Sequence, residues 1–228
     1  MNGKKLAGEK AVEYVEDGML LGLGTGTTVY WSILKLGELV KNGLTVHCAS
    51  TSKKTENLAV ELGISLINPS ELSELDLTID GADEFDENFN LIKGGGGALL
   101  REKIVASISR RFVVVVDDTK FVSVLGGFPL PVEIVPFSWN AITERIAKLG
   151  CIPTLRKEKA VPFITDNGNY ILDCRFNAIN EPAALNTQLH TIPGVVETGL
   201  FVRMADVVVV GSENSVDIRV RTGDSQLN

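Results

Sequence analysis

Cysteine, histidine and aromatic residues are all scarce in this 228-residue chain, and each shortage closes off a kind of chemistry. The three cysteines, Cys48, Cys151 and Cys174, are odd in number and show no C-x-x-C spacing. A disulfide framework or a thiolate zinc site is therefore not expected, and a reducing cytoplasm is the natural compartment. The two histidines, His47 and His190, stand outside any cluster of carboxylates at ligand spacing. That argues against a protein-built metal site, and nothing local resembles a Ser–His or Cys–His nucleophile. Aromatics make up only 6% of residues, and Trp31 and Trp139 read as packing groups rather than base-stacking ones.

Positive charge is also in deficit. Lysine and arginine total 22 against 29 acidic side chains, a net charge of −7, which excludes the broad basic face of a nucleic-acid binder. A small anionic ligand remains compatible with that balance, because a few local lysines and backbone N–H groups suffice to hold it. No apolar run approaches the roughly 20 residues needed to cross a bilayer. The opening Met-Asn-Gly-Lys-Lys-Leu-Ala-Gly-Glu-Lys also lacks the apolar centre of a signal peptide. A soluble cytoplasmic protein without membrane or nucleic-acid partner is the expectation.

What is abundant is glycine, with 22 residues, several of them clustered where apolar runs end. Residues 3–17 predict an amphipathic helix with Leu6, Val12 and Val15 on one face. Apolar runs at 19–24, 45–49, 75–79, 112–116 and 207–210 alternate with helical stretches at about 28–41, 52–62 and 98–109. Continuous apolar strands between helices indicate a doubly wound, mostly parallel, Rossmann-like α/β sheet. The composition shifts at Gly126-Gly127-Phe-Pro-Leu-Pro. Beyond it, strands at 132–135 and 151–156, a hairpin turning at Asp166-Asn-Gly168-Asn, helices at 138–149 and 181–190, and a strand near 195–201 follow. That β-α-β-β-α-β order fits a smaller ferredoxin-like α+β domain. The expected division is residues 1–127 with 202–228 for the large domain and 128–201 for the small one.

Four constellations carry chemistry. Gly22-Leu-Gly24-Thr25-Gly26-Thr27-Thr28 joins a strand to a helix, and its hydroxyls and N–H groups can cradle a phosphate. A plain tight turn is the alternative. A dinucleotide site fits poorly, because the third glycine of G-x-G-x-x-G is replaced by Thr27 and no acidic residue ends the second strand. Asp80-Gly81-Ala82-Asp83 follows the strand 75–79, at the carboxyl end where open sheets bind ligands. Taken alone, such residues form Asx turns, but two nearby carboxylates can divide one proton between them and so exchange protons with sugar hydroxyls.

Lys93 then precedes four glycines, Gly94 to Gly97, which is an entropically expensive way to build a mere linker. The loop amides and the Lys93 ammonium could stabilise an oxyanion. Glu102 lies in the first turns of the following helix and projects back towards that loop. An isolated helical Glu is ordinarily a solvated surface residue; here its neighbours make it the leading candidate base. Asp117-Asp118-Thr119-Lys120 ends another strand, with Lys120 placed to meet an anion and a solvated turn as the alternative.

Together these motifs resemble those of the type A ribose-5-phosphate isomerases. The resemblance runs densely from Gly22 to about Pro136 and includes the Arg101-Glu102-Lys103 triplet. It implies interconversion of D-ribose 5-phosphate and D-ribulose 5-phosphate with no cofactor or metal. It further implies Glu102 as proton shuttle, with Asp80, Asp83 and Lys93 around the sugar. Substrate contacts would come from Thr25, Gly26, Thr27, Thr28, Gly81, Ala82, Gly94, Gly95, Gly96 and Lys120, in a homodimer. Two features depart from the family pattern. Thr27 stands where Ser is usual, and the stretch Ser212-Glu-Asn-Ser-Val-Asp-Ile-Arg-Val-Arg221 differs from the usual ending. Rival readings on a related layout are a sugar-phosphate deaminase, a lactonase, a coenzyme A transferase with a Glu nucleophile, or a non-catalytic sugar-phosphate sensor.

Overall fold

The run Phe112-Val113-Val114-Val115-Val116 is buried along its whole length because the sheet it joins is covered on both faces. Val113 and Val115 pack with Leu21, Leu23, Ile33 and Leu36, whereas Phe112, Val114 and Val116 pack with Phe85, Leu91 and Phe201. Each such side chain contributes roughly 1.5–3 kcal/mol on burial, so this one strand anchors two cores at once.

The computed structural model describes residues 2–221. In chain order come α1 (Asn2–Ala11), β1 (Leu20–Leu23), α2 (Val29–Lys41), β2 (His47–Ser50), α3 (Lys53–Glu61) and β3 (Ser65–Leu66). Next are β4 (Leu77–Gly81), β5 (Glu84–Phe85), β6 (Leu91–Ile92), α4 (Leu99–Ser107) and β7 (Phe112–Asp117). A second group holds β8 (Leu130–Ile134), α5 (Trp139–Ala147), β9 (Ile152–Leu155), β10 (Lys157–Glu158), β11 (Val161–Pro162), β12 (Tyr170–Arg175), α6 (Pro182–His190) and β13 (Val195–Thr198). The chain finishes through β14 (Leu200–Phe201), β15 (Val207–Gly211) and β16 (Val216–Val220).

The main sheet has seven strands in the order β16-β15-β7-β4-β1-β2-β3, all parallel except the edge pair β15–β16. The second sheet, β13-β8-β12-β9, is antiparallel throughout, with α5 and α6 in the two crossovers of a ferredoxin-like unit. The α/β class is as expected, and residues 1 and 222–228 of the expected large domain lie outside the described residues. No described helix is long and apolar enough to cross a membrane.

Three elements differ from the sequence expectation. The first helix ends at Ala11, with a single 3-10 turn at Val12–Tyr14 in place of its expected continuation. Its buried face is Gly3, Ala7, Gly8 and Ala11, while Leu6 and Val15 are only half-buried. Small residues let α1 lie so close to α2 that the Ser32 hydroxyl donates to the Gly8 carbonyl at 2.8 Å. The strand expected near 195–201 is two strands: β13 pairs with β8, and β14 pairs with β6. Between them the Gly199 N–H donates to the Pro131 carbonyl at 2.7 Å, and the Gly199 carbonyl accepts from the Lys93 N–H at 2.9 Å. The small sheet is thereby tied to the strand that carries Lys93. Finally, the divergent segment after Gly211 folds back as β16 and closes the edge of the main sheet.

Candidate active site

Strands β1 and β4 are neighbours, but the chain leaves β1 towards β2 and β3 and leaves β4 towards β7 and β15. Such a reversal opens a crevice at the carboxyl ends of the two strands. Gly24–Thr28 leaves β1 there, Asp80–Asp83 leaves β4, and a 3-10 turn at Asp118–Lys120 leaves β7. The resulting cleft is lined by Thr25, Gly26, Thr27, Thr28, Gly81, Ala82, Asp83, Lys93, Gly94, Gly95, Gly96, Glu102 and Lys120, with Lys4 added from α1.

Every site residue expected from the sequence therefore lines the cleft except Asp80, which is fully buried just beneath it. One Asp80 carboxylate oxygen accepts the N–H groups of Thr25 (3.0 Å) and Gly81 (2.7 Å). The other lies 3.0 Å from the Lys93 ammonium. A Cβ at position 24 would fall 2.0 Å from that carboxylate, so only glycine can follow β1 here. Asp83, by contrast, faces the cleft and accepts the Gly95 N–H at 2.7 Å.

The phosphate-cradle turn is organised from behind. The Thr25 hydroxyl meets those of Thr51 (2.9 Å), Ser52 (2.7 Å) and Thr55 (3.2 Å) at the start of α3, so it braces the turn. Helix α2 starts without a side-chain cap; the Tyr30 and Trp31 N–H groups turn back to the Gly26 and Thr28 carbonyls, so an anion at this helix start meets the amides of the preceding turn. Lys4 Nζ lies 3.0 Å from the Thr27 hydroxyl and 3.7 Å from Asp117. Nothing in the sequence marked Lys4, since 19 residues of unrelated pattern lie between it and Gly24 and only the docking of α1 brings it there.

At the other end of the cleft, Glu102 projects from the first turn of α4, only 3% exposed, with one oxygen 3.5 Å from Lys93 Nζ. Lys93 also donates to the Gly81 carbonyl and lies 5.4 Å from the centre of the Phe201 ring. Burial, reinforced by the Asp80 charge, pushes the Glu102 carboxyl up to about 8 despite the nearby ammonium. Burial likewise pushes Asp80 above its ordinary range, against the pull of Lys93 and the two amides. For Lys93, burial favours the neutral amine, but the Asp80 and Glu102 carboxylates outweigh it and hold the ammonium charged. One cation thus serves two buried carboxyls, both pushed towards their protonated forms, and the Glu102 carboxyl is raised to about 8. The helix-start effect that would favour its carboxylate form is the weaker influence.

The Glu102 oxygen nearest Lys93, Oε2, is buried and has that ion pair as its polar contact, with no hydrogen bond among the described residues. Anion-binding groups at one end and a buried carboxyl beside an ammonium at the other suit the class of α/β enzymes that act on small phosphorylated substrates.

Comparison with known proteins makes the class specific. Residues 47–215 match the family described as ribose 5-phosphate isomerase A (phosphoriboisomerase A), and the chain belongs to that family. It is 54% identical over 217 residues to ribose-5-phosphate isomerase A of Bacillus mycoides (strain KBAB4), covering 95% of this chain and 98% of the relative. Its identity to the Bacillus cereus (strain ATCC 10987 / NRS 248) protein of that name is 56%, over 95% and 99% of the two chains. Among solved structures, ribose 5-phosphate isomerase from Plasmodium falciparum superposes with a TM-score of 0.93 at 39% identity, over 96% of this chain and 98% of that one. A D-ribose-5-phosphate isomerase in complex with phospho-erythronic acid gives 0.93 at 40% identity, over 96% and 97%.

Proposed function

We propose that this chain interconverts D-ribose 5-phosphate and D-ribulose 5-phosphate by metal-free proton transfer through a cis-enediolate, with Glu102 as the proton shuttle. The interconversion follows from family membership; the route is our reading. The observation that carries it is the buried Glu102 carboxyl, lining the cleft 3.5 Å from the Lys93 ammonium with its pKa pushed up to about 8. A base is most effective when its pKa lies near the working pH, since its conjugate acid must return the proton.

The 5-phosphate is held by the Gly26–Thr28 amides and hydroxyls, by Lys120 and by Lys4. Thr25 shapes the turn rather than donating to the phosphate, since its N–H binds Asp80 and its hydroxyl is engaged at the start of α3. Asp83, at the cleft wall, exchanges protons with the ring oxygen and O1 as the furanose opens. Asp80 sits out of reach beneath and keeps Lys93 charged and aimed. Ionised Glu102 then takes the C2 proton. The charge that develops on O1 and O2 meets the Lys93 ammonium and the amides of the Gly94–Gly96 loop. As the O2 proton passes to O1 by way of Asp83, protonated Glu102 delivers its proton to C1, and the ketose leaves.

We further read residues 1–127 with 202–228 as the large domain and 128–201 as the small one. The two sheets support this, although β14 crosses the division to pair with β6. A cytoplasmic homodimer completes the reading. The three buried free cysteines are consistent with a reducing compartment, and exposed Phe137 and Ile152 offer apolar surface for self-association.

The test is turnover of ribose 5-phosphate in deuterated water containing a chelator. Solvent deuterium at C1 of the ketose, at an undiminished rate, is the expected result. Turnover abolished by the chelator would instead indicate a metal-assisted hydride shift.

A further inference from the structure

Four successive glycines make poor scaffolding for amides that must point at one spot, because their peptide planes rotate at little steric cost. In this protein the loop is gripped from the second sheet. Arg156, between β9 and β10, donates through Nη1 to the carbonyls of Gly94 (2.8 Å) and Gly95 (3.2 Å). Its Nε, at 3.0 Å, and its Nη2 bind the two carboxylate oxygens of Asp173 on β12. The Phe163 ring, just past β11, presses on Gly97, whose φ is +82° and where a Cβ would lie 2.5 Å from the ring. The Phe163 N–H returns to the Arg156 carbonyl at 2.9 Å.

We propose that Arg156, braced by Asp173, is a positioning residue that sets the peptide planes of the glycine loop so that their N–H groups serve the enediolate. This rests on the isomerase route given above. In a planar trans peptide the C=O of one residue and the N–H of the next point in opposite directions. Holding the Gly94 carbonyl on the Arg156 side turns the Gly95 N–H the other way, where it meets Asp83 at 2.7 Å. Holding the Gly95 carbonyl in the same manner turns the Gly96 N–H away from Arg156, and Gly96 lines the cleft. The charged donor also polarises both peptides, strengthening each N–H as a donor. A planar guanidinium can reach two carbonyls and a carboxylate at once, and an ammonium cannot keep that geometry. The smaller sheet therefore takes part in catalysis from outside the cleft.

The experiment is steady-state kinetics on Arg156→Ala, Arg156→Lys and Asp173→Asn, together with inhibition by phospho-erythronic acid, whose carboxylate resembles the charge of the enediolate. For Arg156→Ala, kcat should fall about 10- to 100-fold, less than the roughly 10²–10³ for removing an oxyanion donor outright because the amides are misaligned and not lost, with KM changed by less than about threefold. The inhibition constant should rise by the same factor as kcat falls. Arg156→Lys should fall between wild type and alanine. Asp173→Asn keeps the guanidinium and loosens only its brace, so it carries the test should the alanine chain not fold. Unchanged kcat in folded variants, a rise in KM alone, or a loss of kcat equal to the unfolded fraction seen by circular dichroism would overturn the proposal. A wild-type protein that fails to isomerise ribose 5-phosphate would strike the underlying route instead.

Discussion

Lys93 and Glu102 face each other across 3.5 Å, with side chains only 2% and 4% exposed, so the ammonium is the nearest stabilising charge for the carboxylate. Asp80 competes for that same ammonium at 3.0 Å. Burial first, and the Asp80 charge after it, raise the Glu102 carboxyl to about 8 without removing its ability to ionise.

Replacing Glu102 by Gln should lower kcat by at least about 10²-fold with KM similar, as expected for a general base. Coupled-assay kinetics on the purified variant decides this, and near-normal kcat would refute the assignment.

The pH profile has a definite sign. Glu102 must be ionised to take a proton, and its carboxyl titrates at about 8 in the free protein. The value of kcat/KM should therefore rise with pH through an apparent pKa near 8, and the Glu102→Asp variant should keep a rise of that direction at lower amplitude. A profile flat between pH 6 and 9 would contradict the environment described for this carboxyl.

Stability should move the opposite way. The folded pKa of Glu102, about 8, lies above its unfolded value of 4.5, so the native chain binds the extra proton between those limits. The associated stability is fully present below pH 4.5 and is lost as pH rises through about 8. Glu102→Gln has no such loss. It should melt a few degrees above wild type at pH 8.5, by about 2–4 °C per kcal/mol for a chain this size, and the gap should close towards pH 5. Scanning calorimetry at both pH values checks the crossover.

Removing the ammonium is predicted to be costly. Lys93→Ala leaves Asp80 and Glu102 buried without their common partner, and breaking such a buried pair typically costs about 3–5 kcal/mol. Denaturant unfolding should show that loss along with a large fall in kcat; a stability equal to wild type would mean that the two acids had simply become protonated.

Lys120→Ala and Lys4→Ala should act mainly on KM, each raising it about 10-fold, because a hydrogen bond to a charged group is worth about 1.5–3 kcal/mol. A substrate lacking the 5-phosphate should be insensitive to both changes. Loss of kcat with unchanged KM would move these lysines out of the phosphate end.

Much of the site was legible because its residues cluster in sequence where apolar strands stop. Asp80, Lys93 and Glu102 lie within one strand–loop–helix passage, and each type of group announces its chemistry. Lys4 and Arg156 were not legible, since each sits among ordinary surface charges and gains its role only through the docking of α1 and of the second sheet. The short β5, β6 and β14 escaped for a similar reason: two residues carry no periodicity, and their pairing is purely a matter of tertiary proximity. The helix at the N-terminus was read only in part: Val12 is buried as expected, but Gly3, Ala7, Gly8 and Ala11 make most of the buried face, and small residues give no apolar signal.

By itself the sequence determined the α/β class and the strand-end motifs and nominated Glu102 as the candidate base, because alternating apolar runs and glycine punctuation are local consequences of backbone geometry. Only the tertiary structure decided that Asp83 reaches the cleft while Asp80 lies beneath it, and that Glu102 holds its proton to about pH 8. Burial and charge-to-charge distance set those outcomes, and both are properties of the packed chain rather than of any stretch of residues within it.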